Sequence, residues 1–167
     1  MNLVLIGYRC SGKSTVASCL ADALGWRAVH IDREIGVRAG QRIIEIVAKH
    51  GWERFREIEG EVISAVAAMD RVVIDTGGSA VLNDRNVKML RAGGRLVWLR
   101  TSALEVRARM QQLDEKLVPL SDAANAEDEV EEMIQRMNPL YEAAADCEVD
   151  TDGRSTTDIA REILKYA

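Results

Sequence analysis

The chain of 167 residues has the size of one domain, and at that length roughly 70% of the unfolded surface can be buried without a disulfide or metal staple. Apolar residues at 47% and charged residues at 29% exclude a disordered chain, and a net charge of −5 excludes an overall electrostatic pull toward nucleic acid or an anionic membrane. Any phosphate-bearing ligand must therefore be held by a local site.

In chain order, short apolar runs alternate with longer helical patterns. Asn2–Ile6 reads as the first strand and Lys13–Leu24 as the helix after it, stopped by Gly25. Ala28–Ile31 reads as the second strand, followed by helices over Arg42–Lys49 and Trp52–Ala68. Arg71–Asp75, Arg95–Leu99 and Cys147–Asp150 are the remaining strands, with helices predicted over Asn83–Arg91, Ala103–Gln112, Glu127–Ala145 and Thr156–Tyr166. Gly93-Gly94 is a second helix stop, and Ser155 or Thr156 is placed to cap the last helix. Leu3-Val4-Leu5-Ile6, Val72-Val73-Ile74 and Leu96-Val97-Trp98-Leu99 are apolar on consecutive residues, which requires cover on both faces of a parallel sheet. The expected fold is α/β, a sandwich of helices on both sides of a parallel sheet, with right-handed crossovers and a single domain over 1–167. Residues 111–129, polar, acidic and carrying Pro119, interrupt the pattern and read as a mobile lid.

Composition adds little beyond this. No apolar run is long enough to cross a bilayer or to serve as the core of a signal peptide. Cys10, Cys19 and Cys147 form no Cys-x-x-Cys pair and suit free thiols in a reducing cytoplasm, the expected location. Trp26, Trp52 and Trp98 are isolated in an acidic chain and make no nucleic-acid platform.

The strongest chemical signal is Gly7-Tyr8-Arg9-Cys10-Ser11-Gly12-Lys13-Ser14-Thr15, a complete G-x-x-x-x-G-K-[ST] motif between an apolar strand and an amphipathic helix. Gly7 and Gly12 let the loop fold back so that backbone N–H groups, including those of Cys10, Ser11 and Thr15, converge on a phosphate. Lys13 is expected to bridge β- and γ-oxygens, Ser14 to ligate Mg²⁺, and the helix to direct its positive end at the charge. Asp75-Thr76-Gly77-Gly78 closes the third strand, where Asp75 can hold a water of the metal shell. The same D-x-x-G occurs in GTPases, but the chain has no N-K-x-D guanine motif.

Beyond the loop, the residues resemble those of the shikimate kinase family over nearly the whole chain. Ala39-Gly40-Gln41-Arg42-Ile43-Ile44-Glu45-Ile46 is similar to the family's T-G-R-S-I-x-E-I segment, and Gly51-Trp52-Glu53-Arg54-Phe55-Arg56-Glu57-Ile58-Glu59 to its G-E-x-x-F-R-x-x-E helix. Thr76–Val81 falls on the G-G-G-A-V loop, Asn138-Pro139-Leu140-Tyr141 on x-P-L-Y, and Val149-Asp150-Thr151-Asp152 on the adenine-side V-D-T stretch. The resemblance implies a five-stranded sheet of order 2-3-1-4-5, of the P-loop nucleoside-monophosphate-kinase type. It also implies ATP- and Mg²⁺-dependent phosphorylation of the 3-hydroxyl of shikimate in aromatic amino-acid biosynthesis. The expected partner is this small molecule, with no nucleic acid or membrane involved, and the expected state is a monomer. Carried over by residue, Asp32 hydrogen-bonds the substrate hydroxyls and accepts a proton, with an N-cap as its other reading. Arg56 forks onto the substrate carboxylate, and Gly77 and Gly78 offer it backbone N–H groups. Arg109 stacks on adenine, and Arg154 stands in the adenine-side loop.

Four positions depart from the family pattern: His30 replaces the first aspartate of D-x-D, Ser79 a glycine, Val118 the lid arginine, and Met137 the second carboxylate-gripping arginine. Loss of one partner of a buried charge pair costs about 2–5 kcal/mol, and loss of a transition-state arginine about 10³–10⁵ in rate. Candidate substitutes are Arg136 for the carboxylate, Lys116 for the phosphate and Asp75 for the metal shell. Three readings stay open: a shikimate kinase, a kinase for another small polyol acid, and a catalytically weak nucleotide-binding relative.

Overall fold

Strand β1 (Asn2–Ile6) is buried along its whole length, the consequence of the apolar run from Leu3 to Ile6, while the Asn2 side chain donates to the Met69 carbonyl and accepts from Val72 N. The computed structural model describes residues 1–114 and 117–166. Around β1 lie β2 (Arg27–His30), β3 (Val72–Asp75), β4 (Gly94–Arg100) and β5 (Cys147–Asp150), all parallel, in the order β2-β3-β1-β4-β5. The helices are α1 (Lys13–Leu24), α2 (Ile31–Ala39), α3 (Ile43–Ala67), α4 (Asp84–Gly93), α5 (Ala103–Met110), α6 (Val130–Ala144) and α7 (Thr156–Ile163), with a 3₁₀ turn at Ala80–Leu82.

Alternation along the strands divides the core into two layers. Leu3, Leu5, Val73, Val97, Leu99 and Val149 pack with Val16, Ala17 and Leu20 of α1 and Ile159 and Ile163 of α7. Val4, Ile6, Ile74, Leu96 and Trp98 face α2, α3, α4 and α6, where Trp98 stacks on Tyr141 at 5.9 Å.

Several boundaries differ from expectation. β2 spans Arg27–His30, not Ala28–Ile31, because Ile31 already begins α2. That helix carries a legible signal: Ile31 and Ile35 are buried at i and i+4, Asp32 and Glu34 stand in its first turn, and Gly40 closes it at φ 63°. The helices expected at Arg42–Lys49 and Trp52–Ala68 run together as α3, kinked where Gly51 takes φ 77° and ψ 171°. Gly25 stops α1 in the left-handed region, whereas Gly93 is the last residue of α4 and Gly94 the first of β4. Ser155 caps α7, its hydroxyl accepting from the Asp158 N–H.

Between α5 and α6 the described residues of the 111–129 segment form no helix or strand. The segment is pinned from its own end: the buried Glu129 carboxylate accepts from Leu120 N at 2.7 Å, Ser121 N at 2.8 Å and Ser121 Oγ at 2.7 Å. α6 therefore starts at Val130, not Glu127. Among the described residues, no helix is long and apolar enough to cross a membrane.

Candidate active site

Three loops meet at the carboxyl ends of the adjacent strands β2, β3 and β1, the end at which open α/β sheets bind ligands. Leaving β1, Gly7 takes φ 147°, and a Cβ there would lie 2.6 Å from the Leu99 carbonyl oxygen, so only glycine fits. Cys10 at φ 62° and Gly12 at φ 90° continue the backward fold into the N-terminus of α1. Lys13 Nζ turns inward, donating to the Gly7 carbonyl at 2.8 Å and the Tyr8 carbonyl at 2.9 Å. Burial lowers its ammonium below the ordinary range, opposed by the charges of Asp75 and Asp32. Burial also pushes the Cys10 thiol up, against the pull of Arg9, Lys13 and Arg109, so its reactivity is suppressed.

Asp75 is the hub of the site's floor. The register of β2 and β3 sets His30 directly opposite Asp75, and His30 Nδ1 lies 2.8 Å from Asp75 Oδ2. The same oxygen accepts from Ser14 Oγ at 2.6 Å. Lys13, Ser14, Thr15, His30, Asp32, Asp75, Gly77 and Gly78 thus line one cavity of about 540 Å³, into which the α1 N-terminus opens.

Asp32, in the first turn of α2, has its carboxylate toward Gly77: a Cβ at Gly77 would stand 2.8 Å from Asp32 Oδ1 and 3.2 Å from Glu59 Oε1. Glycine at 77 is what allows these two acids to converge. The protein packed around Asp32 raises its carboxyl above the ordinary range, with Lys13 opposing and Asp75 adding to the rise.

Glu59, which ends the Gly51–Glu59 motif and carries no role in the sequence expectations, also stands at the site beside Gly77. It is 1% exposed, its Oε1 has no hydrogen-bond partner among the described residues, and burial with the nearby Asp32 charge pushes its carboxyl up to about 7. A signal was present. Phe55, Ile58, Val62, Ile63 and Val66 mark the buried stripe of α3, and Glu59 falls within it, where an apolar residue is expected.

The two arginines proposed for a carboxylate meet. Arg56 and Arg136 line one cavity of about 150 Å³ with Trp52, Ser79 and Met137. Neither forms an ion pair among the described residues, whereas Met137 is 1% exposed and packs in the core. Arg109 is held at the loop, its Nη1 donating to the Cys10 carbonyl at 3.0 Å and its Nε to Glu105 at 3.0 Å. Arg154 stands apart from the loop cavity: it meets Glu162 at 2.7 Å and donates to the Asp150 carbonyl at 3.0 Å, bracing β5 against α7. Val118 contributes its backbone, since its carbonyl accepts from Arg9 Nη1 at 2.6 Å. Lys116 lies outside the described residues.

The donor set at Ser14 and Asp75 is a hydroxyl and a carboxylate oxygen, the hard ligands that suit magnesium. Among the described residues, no cluster of three or more His, Cys, Asp or Glu side chains is placed to cage a metal.

Comparisons with known proteins agree with this geometry. A family model described as shikimate kinase matches residues 9–167. The shikimate kinase of Moorella thermoacetica is 41% identical over 162 residues, covering 97% of this chain and 91% of that protein. That of Thermodesulfovibrio yellowstonii is 38% identical over 164 residues, covering 98% and 93%. Among solved structures, shikimate kinase from Acinetobacter baumannii in complex with shikimate superposes with a TM-score of 0.90 at 29% identity, covering 99% of this chain and 91% of that one. The fold order, the phosphate loop and the matched length lead to one conclusion: the chain belongs to the shikimate kinase family.

Proposed function

We propose that this chain transfers the γ-phosphoryl group of ATP to the 3-hydroxyl of shikimate, with Mg²⁺ as the metal. The observation that carries this reading is the pair Arg56 and Arg136, lining one small cavity without an acidic partner among the described residues. Two planar cations around about 150 Å³ suit a carboxylate, and Ser79 on the wall of that cavity adjoins the Gly77-Gly78 turn that faces Asp32. The substitution of Met137 is thereby met by its neighbour, which favours an acceptor site over a vestigial one.

In this reading the phosphate-loop amides and the α1 N-terminus hold the nucleotide phosphates, with Lys13 keeping the loop folded and adding charge. Arg109, tied to the loop, flanks the nucleotide, while Arg154 acts through the β5–α7 joint. Asp32 orients the attacking hydroxyl and takes its proton, a role that a carboxyl raised above the ordinary range suits. Ser14 and Asp75 would hold the magnesium ion, which supplies charge neutralisation on phosphate oxygens when bound. Gly77 and Gly78 present backbone donors to the acceptor, with Glu59 beside Asp32 at the face of Gly77.

The decisive experiment pairs a coupled assay of shikimate-dependent ADP release with calorimetric titration of shikimate into protein saturated with Mg²⁺-ADP. Saturable turnover with shikimate is expected. No release at high enzyme concentration, together with undetectable shikimate binding, would overturn the reading.

A further inference from the structure

We propose that Arg9 is a further catalytic residue, whose guanidinium contacts the γ-phosphoryl oxygens during transfer and is parked on the lid between turnovers. The proposal rests on the kinase reading above. Arg9 is half-buried at the junction of two cavities, the loop cavity of about 540 Å³ and a neighbouring one of about 1020 Å³, and it lines both. Asp32 lines both as well, so the guanidinium and the base share the gap between phosphate loop and acceptor. Its charge is felt there: Arg9 draws the carboxyl of Asp32 downward, against the burial that raises it.

The other cations of the region are committed or differently anchored. Lys13 is turned toward the Gly7 and Tyr8 carbonyls, and Arg109 toward the Cys10 carbonyl and Glu105. Arg33 lines the same two cavities from α2 but bonds neither loop nor lid among the described residues. The 111–129 segment carries Asp114, Glu115, Asp122, Glu127, Asp128 and Glu129, with Lys116 as its one cation and no arginine. Arg9, by contrast, makes one hydrogen bond among the described residues, from Nη1 to the neutral Val118 carbonyl at 2.6 Å. A guanidinium has five donors, and bonds to an anionic oxygen are roughly twice as strong as bonds to a carbonyl. Exchange of Val118 for phosphoryl oxygens is therefore downhill, and it leaves donors to span two of those oxygens.

In the transfer step the acceptor oxygen forms a bond to Pγ while the bond from Pγ to the β,γ-bridging oxygen breaks. The electron pair departs on ADP, and the hydroxyl proton passes to Asp32. Negative charge on the equatorial oxygens is what Arg9 stabilises, from the side facing the lid.

The test is Arg9→Ala and Arg9→Lys, with kcat, the KM of each substrate and the calorimetric affinity for Mg²⁺-ADP measured for both. Arg9→Ala is expected to lower kcat by about 10³-fold with ADP affinity unchanged within a few-fold. Arg9→Lys should recover part of the rate as a point charge, and guanidinium at millimolar concentration should partly restore Arg9→Ala. A kcat within threefold of the unaltered protein overturns the proposal. So does a loss that parallels ADP affinity and responds neither to lysine nor to guanidinium. If the unaltered protein releases no ADP in response to shikimate, the acceptor assignment fails by itself. Slow acceptor-independent ATP hydrolysis then reads the same three proteins, and equal rates would overturn the role of Arg9.

Discussion

Glu59→Gln isolates the energetic consequence of placing an acid inside the α3 apolar stripe. With 1% of its surface exposed, Glu59 is held protonated until about pH 7, against an ordinary value of 4.5. A carboxyl raised on folding binds more protons in the native than in the unfolded state between those two values, so stability falls as pH rises through that window. At about 1.4 kcal/mol per pH unit, the full loss for the unaltered protein is about 3 kcal/mol, most of it falling between pH 5 and pH 8. Glutamine keeps the shape and never ionises, so the variant should be free of this slope. Urea unfolding of both proteins in the absence of ligand, at pH 5 and pH 8, measures it directly. The stability of Glu59→Gln relative to the unaltered protein is expected to rise by about 2–3 kcal/mol across that interval. A difference that stays constant within about 0.5 kcal/mol would mean that the carboxylate is solvated or paired, and the reasoning from burial would fail.

Further outcomes follow from single contacts. Gly7→Ala places a Cβ 2.6 Å from the Leu99 carbonyl at φ 147°, and is expected to lower stability by at least about 2 kcal/mol in urea melts while weakening ADP binding. Arg136→Ala should raise the KM for shikimate about 30- to 1,000-fold with the KM for ATP little moved, since it removes half of the proposed carboxylate clamp. Met137→Ala should act chiefly on the fold, costing about 2–5 kcal/mol of stability in urea melts, because Met137 is 1% exposed in the core. Ser14→Ala, which deletes the hydroxyl bonded to Asp75, should raise the magnesium concentration for half-maximal turnover by about tenfold or more.

The parts of this molecule that follow from local pattern were legible in the sequence. Consecutive apolar residues in β1 and β4 require two-sided cover, and the glycine and lysine spacing of residues 7–15 requires an anion cradle. The parts set by helix rotation or by long-range approach were harder to read. Arg136 and Met137 differ by about 100° around α6, and the stripe Val130, Met133, Met137, Tyr141 and Ala144 turns the methionine inward and leaves the arginine at its edge. The start of α2 was harder to read, and Asp32 lies in its first turn and is not its N-cap, because a four-residue strand passes into the helix without a loop at His30 and Ile31. Glu59 reads locally as one more charge beside Arg56 and Glu57; only Gly77, 18 residues beyond it in sequence, lets Asp32 approach and makes its burial consequential. Arg9 occupies an unspecified position of the motif, and its partner comes from a lid 109 residues away.

The charge of the whole chain and the field at the site have opposite senses, and topology is the reason. The net charge is −5, yet the loops after β1 and β2 bring Arg9, Lys13 and Arg33 to the walls of one cavity and, among the described residues, only Asp32 and Asp75 stand against them, a surplus of one positive charge. A nucleoside triphosphate carries about four negative charges, so side chains alone leave it under-neutralised. Inward-pointing amides and the α1 N-terminus, worth about half a charge, reduce the deficit but do not close it. A divalent cation closes most of the remainder. On the proposed reading the metal serves nucleotide binding as well as turnover, and ADP affinity is expected to fall when magnesium is chelated even though no acceptor is present.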